Sequence, residues 1–239
     1  MILWGITDIG NVRSDNQDSY HCEQLDDQTA LAVVCDGMGG ARGGSVASST
    51  AVAAFVEAVK GAWADGERNW PELMKQAVLY ANETVHTMSM EHAEYRGMGT
   101  TLVAAVATPD KIWAANVGDS RFYMLEEGEI CRVSRDHSFV EDLVERGDIT
   151  PEEARVHPKK NLITRALGVD REVRVDIFER GNHGGYLLLC SDGLSNMVTD
   201  EELRSQVVAE DKNSCCQRLL ALALERGAPD NVTVVVVQL

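Results

Sequence analysis

Short apolar runs bounded by turn residues dominate the chain. Residues 2–8, 19–23, 30–35, 100–108, 111–118, 120–125, 129–133, 173–179, 185–190 and 232–238 have the β-branched and apolar content of strands. Pro109-Asp110 and Glu127-Gly128 supply tight turns between consecutive runs, so those neighbours should pair antiparallel. Between the third and fourth runs the period changes to that of a helix. Val52, Phe55, Val56 and Val59 share one face of a first helix, and Met74, Val78, Ala81, Val85 and Met88 share one face of a second. Two more helices, at about 199–209 and 212–226, precede the last strand, with Leu219, Leu220 and Ala223 on the buried face of the second. Strands in meanders and helices in pairs predict an α+β fold of two packed antiparallel sheets with helix pairs outside. The first and last strands both read as central, which favours one domain over residues 1–239 rather than two small ones.

From 138 to 171 the strand pattern stops. Ser138–Arg146 reads as a short helix. Thr150 and Glu153 have the spacing of a capping box, and Pro151 suits a first helical position. Residues 155–174 hold six basic side chains (Arg155, Lys159, Lys160, Arg165, Arg171 and Arg174) against two acidic ones. The segment is either a solvated surface loop or a flap that meets an anionic substrate.

Composition removes several functions. The 239 residues are 44% apolar, enough for a sizeable core, and carry 22 basic against 38 acidic side chains, a net charge of −16. A nucleic-acid binder usually shows a basic footprint, so none is expected as a partner. The amino-terminal MILWGITDIG has no basic n-region and is not read as a signal peptide. No apolar run reaches the roughly 18–20 residues of a membrane span. Of six cysteines, Cys35 and Cys190 sit inside apolar strands, Cys215 and Cys216 are adjacent in a helical pattern, and there is no CxxC pair. They are expected to be free thiols in a reducing cytoplasm. No heptad or long apolar edge calls for a second subunit, so a monomer is expected.

Four aspartates then stand out. Asp36 follows LAVVC, Asp119 follows KIWAANVG, Asp192 follows GYLLLCS, and Asp230 comes just before VTVVVVQ. A carboxylate at a strand end is held rigidly yet can face solvent. Several converging on one point repel each other, and a hard divalent cation relieves that repulsion. All-oxygen ligation suits Mg²⁺ or Mn²⁺ rather than Zn²⁺. Two such ions bridged by one carboxylate, for which Asp36 is the natural candidate, can lower the pKa of a water between them and supply a nucleophile for phosphorus. The glycines after Asp36 let the backbone approach, so the Gly37 carbonyl can add a ligand. Taken alone, DGMGGARGG is a weak signal and reads first as a plain strand-to-helix turn. Arg13 suits bidentate phosphate capture, with a surface salt bridge as the alternative. Asp136-His137 reads as a structural turn ahead of an acid–base or metal site.

The set RSDNQD (13–18), DGMGG (36–40), GMGTT (97–101), VGDSR (117–121), DHSFV (136–140), ITRALG (163–168), SDGL (191–194) and DN (230–231) resembles, in order and spacing, the PP2C-type (PPM family) metal-dependent serine/threonine protein phosphatases in their compact bacterial form. The resemblance spans essentially the whole chain. It implies a four-layer α-β-β-α sandwich with the metal centre at one end of the sheets and residues 138–171 as a flap subdomain beside it. It implies that Asp36 bridges two Mn²⁺ or Mg²⁺ ions, that Asp192 and Asp230 complete the first ion's protein ligands, and that the Gly37 carbonyl serves the second. Asp119, sharing Asp192, would hold a weaker third ion, and Arg13 would bind the substrate phosphate. Asp18 would lie in the outer shell, bound through water, and Asn231 would support Asp230. Thr100 and Thr101 read as structural. The partners implied are phosphorylated proteins and a bacterial serine/threonine kinase whose action the enzyme opposes.

Two positions depart from the family. Gln17 stands where many eukaryotic members have glutamate, and Met38 where some have a histidine proposed as general acid. A thioether cannot donate a proton, so the leaving group must take one from a metal-bound water or another residue. Neither departure removes a metal ligand, so an active enzyme is expected. No CxxxxxR signature is present: Cys190 is followed by SDGLSN, and Arg42 comes seven residues after Cys35. Two other readings stay open, a phosphoprotein-binding regulator that turns over poorly and a metal-dependent phosphoesterase for nucleotides or nucleic acid.

Overall fold

The structure, a computed structural model, describes residues 1–239 except for the side chains of Ala41 and Arg42, so the Arg42 guanidinium weighed above lies outside the described residues. In chain order the elements are strands β1 (Ile2–Asp8), β2 (Asp18–Gln24) and β3 (Ala30–Met38); helices α1 (Gly40–Ala64) and α2 (Trp70–Glu91); strands β4 (Gly99–Thr100), β5 (Leu102–Ala107), β6 (Lys111–Val117), β7 (Arg121–Glu126) and β8 (Glu129–Arg132); helices α3 (Phe139–Arg146) and α4 (Pro151–Val156); strands β9 (Asp176–Gly181) and β10 (Tyr186–Cys190); helices α5 (Asp192–Ser195), α6 (Asp200–Val207) and α7 (Cys215–Glu225); and strand β11 (Val232–Gln238).

Two antiparallel sheets form, in the orders β1-β11-β10-β7-β8 and β2-β3-β5-β6-β9, with β4 added on β3. Their strands read as nearly continuous apolar runs because both faces are covered. Along β3, Leu31, Val33 and Cys35 face α1 and α2, where they pack with Phe55, Met74 and Val78. The alternate residues Ala30, Ala32 and Val34 face the other sheet. There the small side chains of one sheet, such as Ala105 and Ala114, meet large ones of the other, Phe122, Leu187 and Leu189. Beyond the second sheet Tyr123, Leu188 and Val236 pack against Leu203, Leu219 and Ala223 of α6 and α7. The layers are therefore α-β-β-α, as the sequence predicts.

Several boundaries move, each for a physical reason. The strand expected over 100–108 breaks at Thr101, whose N–H donates to the Asp36 carbonyl while its Oγ1 accepts from the Asp36 N–H. The strand expected over 173–179 begins only at Asp176. Val173 and Val175 pack against the α1–α2 core as loop residues, so their alternation carries the look of a strand without its pairing. β1 is an edge strand, not a central one, and pairs with β11 from Ile2↔Gln238 to Asp8↔Val232. Ser138 caps α3, and the predicted Thr150–Glu153 capping box closes α4 in both directions. The six cysteines are free. Among the described residues no helix is long and apolar enough to cross a membrane.

Candidate metal centre

The sheets bring separate connections to one end of the sandwich. These are the β1–β2 loop with Arg13, the end of β3 with Asp36 and Gly37, the β6–β7 link with Asp119, the start of α5 with Asp192, and the turn before β11 with Asp230 and Asn231. Together they line a cleft of about 480 Å³. Seven of the eight residues predicted for the site thus meet. The eighth, Asp18, sits opposite Asp36 in the β2–β3 pair and is buried below the cleft.

Each side chain is fixed by local chemistry. The Asp36 backbone is held from both sides by Thr101 and by Thr100, whose hydroxyl donates to the Asp36 carbonyl at 2.9 Å, so these threonines are structural. Gly37 donates its N–H to the Gln17 carbonyl at 3.0 Å. A Cβ at Gly37 would lie 2.0 Å from the Gly44 carbonyl oxygen and 2.6 Å from that of Gln17. Gly37→Ala is therefore expected to destabilise the protein by about 2–3 kcal/mol. At this chain length that lowers the melting temperature by roughly 4–12 °C, readable by calorimetry.

Asp119 is aimed by its neighbour Gly118, at φ 108°. The Gly118 N–H donates to His137 Nδ1 at 3.0 Å, and the Gly118 carbonyl accepts from the His137 N–H at 2.9 Å. With Nδ1 accepting, the ring proton sits on Nε2, 3.1 Å from Asp176 Oδ2. Burial first, and the Arg165 charge after it, lower the His137 pKa despite Asp176, so the ring is neutral and architectural. Asp136 is likewise taken, by a fork from Arg121. The Asp136-His137 pair is thus the structural turn expected from the sequence.

Asp192 Oδ2 accepts from Asn196 at 3.0 Å. Asp230 Oδ1 accepts from the Asn231 N–H at 2.9 Å, and its Oδ2 accepts from Arg13 at 2.8 Å. Asn231 ties the β1–β2 loop to this turn: its Oδ1 accepts from Gln17 N–H, and its Nδ2 donates to the carbonyls of Ile9 and Asp15. Gln17 also donates its amide to the Gly40 carbonyl, joining the same loop to the start of α1. Ser191 and Thr233 each donate to Asp18 Oδ2 at 2.7 Å. Sequence reasoning missed Asn196, Ser191 and Thr233. Asn196, four residues after Asp192 in SDGLSN, is the one whose spacing gave a signal.

The electrostatics are those of crowded acids. Burial first, then repulsion from the neighbouring aspartates, pushes Asp36 and Asp119 well above the usual carboxylate range. The same causes raise Asp192, and they raise Asp18 to about 7 against its two hydroxyl donors. Among the described residues, Asp18 Oδ1 and Asp192 Oδ1 are buried without a hydrogen-bond partner. Among the described residues no three His, Cys, Asp or Glu side chains form a closed ligand set, with Asp192 and Asp230 held by Asn196 and Arg13. Mg²⁺ and Mn²⁺ keep several waters and take one or two carboxylates each, so an open, all-oxygen set with unpartnered buried oxygens fits such an ion.

Comparison with known proteins agrees with this arrangement. Residues 11–223 match the family model described as Protein phosphatase 2C. The serine/threonine phosphatase stp of Listeria welshimeri is 38% identical over 245 residues, covering 97% of this chain and 93% of that protein. The serine/threonine protein phosphatase PstP of Mycobacterium tuberculosis is also 38% identical, over 96% of this chain and 43% of that protein. Among solved structures, Mycobacterium tuberculosis PstP/Ppp superposes with a TM-score of 0.91 at 36% identity, covering 100% of this chain and 98% of that one. The PstP catalytic domain in complex with two manganese ions superposes at 0.86 and 36% identity, over 98% of this chain and 96% of that one. The chain belongs to the protein phosphatase 2C family.

Proposed function

We propose that the protein hydrolyses phosphoserine and phosphothreonine in other proteins with Mn²⁺ or Mg²⁺, by direct attack of water on phosphorus and without a phosphoenzyme. The observation that carries this is the convergence of Asp36, Asp119, Asp192 and Asp230 with Arg13 in one cleft. Asp36 is proposed to bridge two ions, with Asp192 and Asp230 on the first, the Gly37 carbonyl on the second, and Asp119 with Asp192 on a weaker third. Bound there, divalent ions would lower the pKa of a water between them and neutralise charge on the phosphoryl oxygens.

The protein's own groups support the remaining roles. Arg13, half exposed over the cleft, is proposed to exchange its Asp230 partner for the substrate phosphate, which its planar fork can hold bidentately. Asp18, under Asp36, is proposed as an outer-shell acceptor for a water, through its free Oδ1. Asn231 keeps Asp230 and the Arg13 loop in register. A cysteine nucleophile is not supported: burial holds Cys35 well above its usual pKa and Cys190 at about 12, so neither is a thiolate near neutral pH. Gln17 serves as a backbone tie, which leaves Met38 as the one departure bearing on turnover.

Residues 1–239 are proposed to act as one domain with 138–171 as its flap, a cytoplasmic monomer opposing a bacterial serine/threonine kinase. The test is phosphate release from a phosphothreonine peptide with Mn²⁺, with Mg²⁺ and with EDTA. Release only with metal is expected. A folded, metal-binding protein that binds the peptide but releases nothing would overturn the proposal in favour of a binding regulator.

A further inference from the structure

A second cleft, of about 290 Å³, opens beside the first and shares Asp119 and Asp192 with it. One wall is formed by α3, α4 and the turn after α4, with Arg155 from α4 and Lys160 from that turn. The opposite wall carries Ser195, Asn196 and Asp200. Most of the charge around it is already paired: Arg121 forks onto Asp136, and Arg132 bonds Glu141 and approaches Asp136. Arg155 and Lys160 are different. Among the described residues neither side chain makes a hydrogen bond or an ion pair, although both lie in a chain of net charge −16. Two cations that hold no hydrogen-bonded partner, lining a small cleft, form a site for an anion. Its volume lies at the lower end of the range for small-molecule pockets, about 300–1,000 Å³, and suits a side chain better than a nucleotide.

Resting on the phosphatase reading, we propose that this cleft takes a second anionic side chain of the phosphoprotein, a carboxylate or a second phosphoryl group, close in sequence to the residue being dephosphorylated. Asp119 and Asp192 face the metal centre in that reading, which leaves Asp200 in the cleft and the exposed Glu152 beside Arg155 as the acids opposing Arg155 and Lys160. The basic stretch in an acidic chain then has a use: it selects substrates rather than decorating a surface. Because Arg155 is exposed, the contact is screened by salt.

The experiment compares phosphothreonine peptides whose flanking positions are glutamate, a second phosphothreonine, alanine or lysine, with p-nitrophenyl phosphate as a small ester that has no flanks. Wild type should cleave the acidic-flanked peptides with roughly tenfold higher kcat/KM than the alanine peptide, mainly through KM, and less so at high salt. In Arg155→Glu/Lys160→Glu the order should reverse towards the lysine peptide, while p-nitrophenyl phosphate turnover stays unchanged. The glutamate and phosphothreonine arms tell which anion the cleft prefers. If p-nitrophenyl phosphate is cleaved but the peptides are treated alike, or the preference survives the charge reversal, the proposal is overturned. If the small ester is not cleaved with any metal, the phosphatase reading itself falls and takes this inference with it.

Discussion

Asp36→Asn is expected to lower metal-dependent phosphate release by roughly 10³-fold or more while raising the melting temperature of the metal-free protein. The two effects come from one cause. Asp36 sits where its charge is least tolerated by the protein alone: burial and the neighbouring Asp18, Asp192, Asp119 and Asp230 all oppose its ionisation. Such a charge is held for a use outside the fold, here as the bridge between two cations in the proposed site. Asparagine keeps the shape and removes the charge, and its amide can donate to the Asp192 carboxylate, which already lies within hydrogen-bond reach of the Asp36 side chain. The metal-free variant should therefore melt higher by several degrees, at about 2–4 °C per kcal/mol gained. Thermal unfolding in EDTA beside a phosphate-release assay reads both. A variant that is inactive because it is misfolded would melt lower, so a fall in both quantities would sink the argument, as would retained activity.

The layers and the site residues were legible in the sequence for different reasons. β3 and β11 are buried on both faces, so their apolar runs, Ala30–Cys35 and Val232–Val237, could not be mistaken for loops. The face residues of α1 and α2 declared themselves because a helix with one wet side must be periodic. What the pattern could not show was where pairing stops. Val173 and Val175 are apolar because they cover the α1–α2 core, not because they lie in a strand, and only the third dimension separates those causes. Edge and centre are also hidden: β1 is apolar because it covers the inter-sheet core with Leu3 and α7 with Trp4 and Ile6, although no strand lies beyond it.

Within the site, the aspartates were visible because each carries an acid at the end of an apolar run, an arrangement that folding alone disfavours. The residues that aim them were not. Asn196, Ser191 and Thr233 are small polar residues of the kind found in any turn or strand, and their roles depend on contacts such as Thr233 to Asp18, 215 residues away in sequence. Gln17 shows the reverse error. Its side chain reads as a departure from an acidic ligand, yet it tethers the Arg13 loop to the first turn of α1.

Metal and pH should act on stability together, and in opposite directions. A carboxylate with a raised folded pKa keeps its proton in the folded state after the unfolded chain has released it, which happens near pH 4. Its stabilising contribution is full below that value and is lost as pH rises through the folded pKa. Asp18 places part of this loss near pH 7, and Asp36 and Asp119, also raised well above the usual carboxylate range, add to it. Neutral, buried His137 works the other way, favouring higher pH up to about 6.5, but it is one group against several. The acid partners of exposed ion pairs, such as Glu202 with its pKa near 2, change only below this range, and the buried thiols only above it. The EDTA-treated protein is therefore expected to melt lower at pH 8 than at pH 5. Metal reverses the order, because its ligands must be deprotonated and its affinity rises with pH. Two ions, each near a hundredfold above its dissociation constant, add about 5 kcal/mol, or roughly 10–20 °C at this chain length. Scanning calorimetry at pH 5 and pH 8, with EDTA and with Mn²⁺, gives the four numbers needed. A Mn²⁺ shift no larger at pH 8 than at pH 5 would mean that the aspartates at the end of the sheets do not bind the ion, and that their crowding has some other cause.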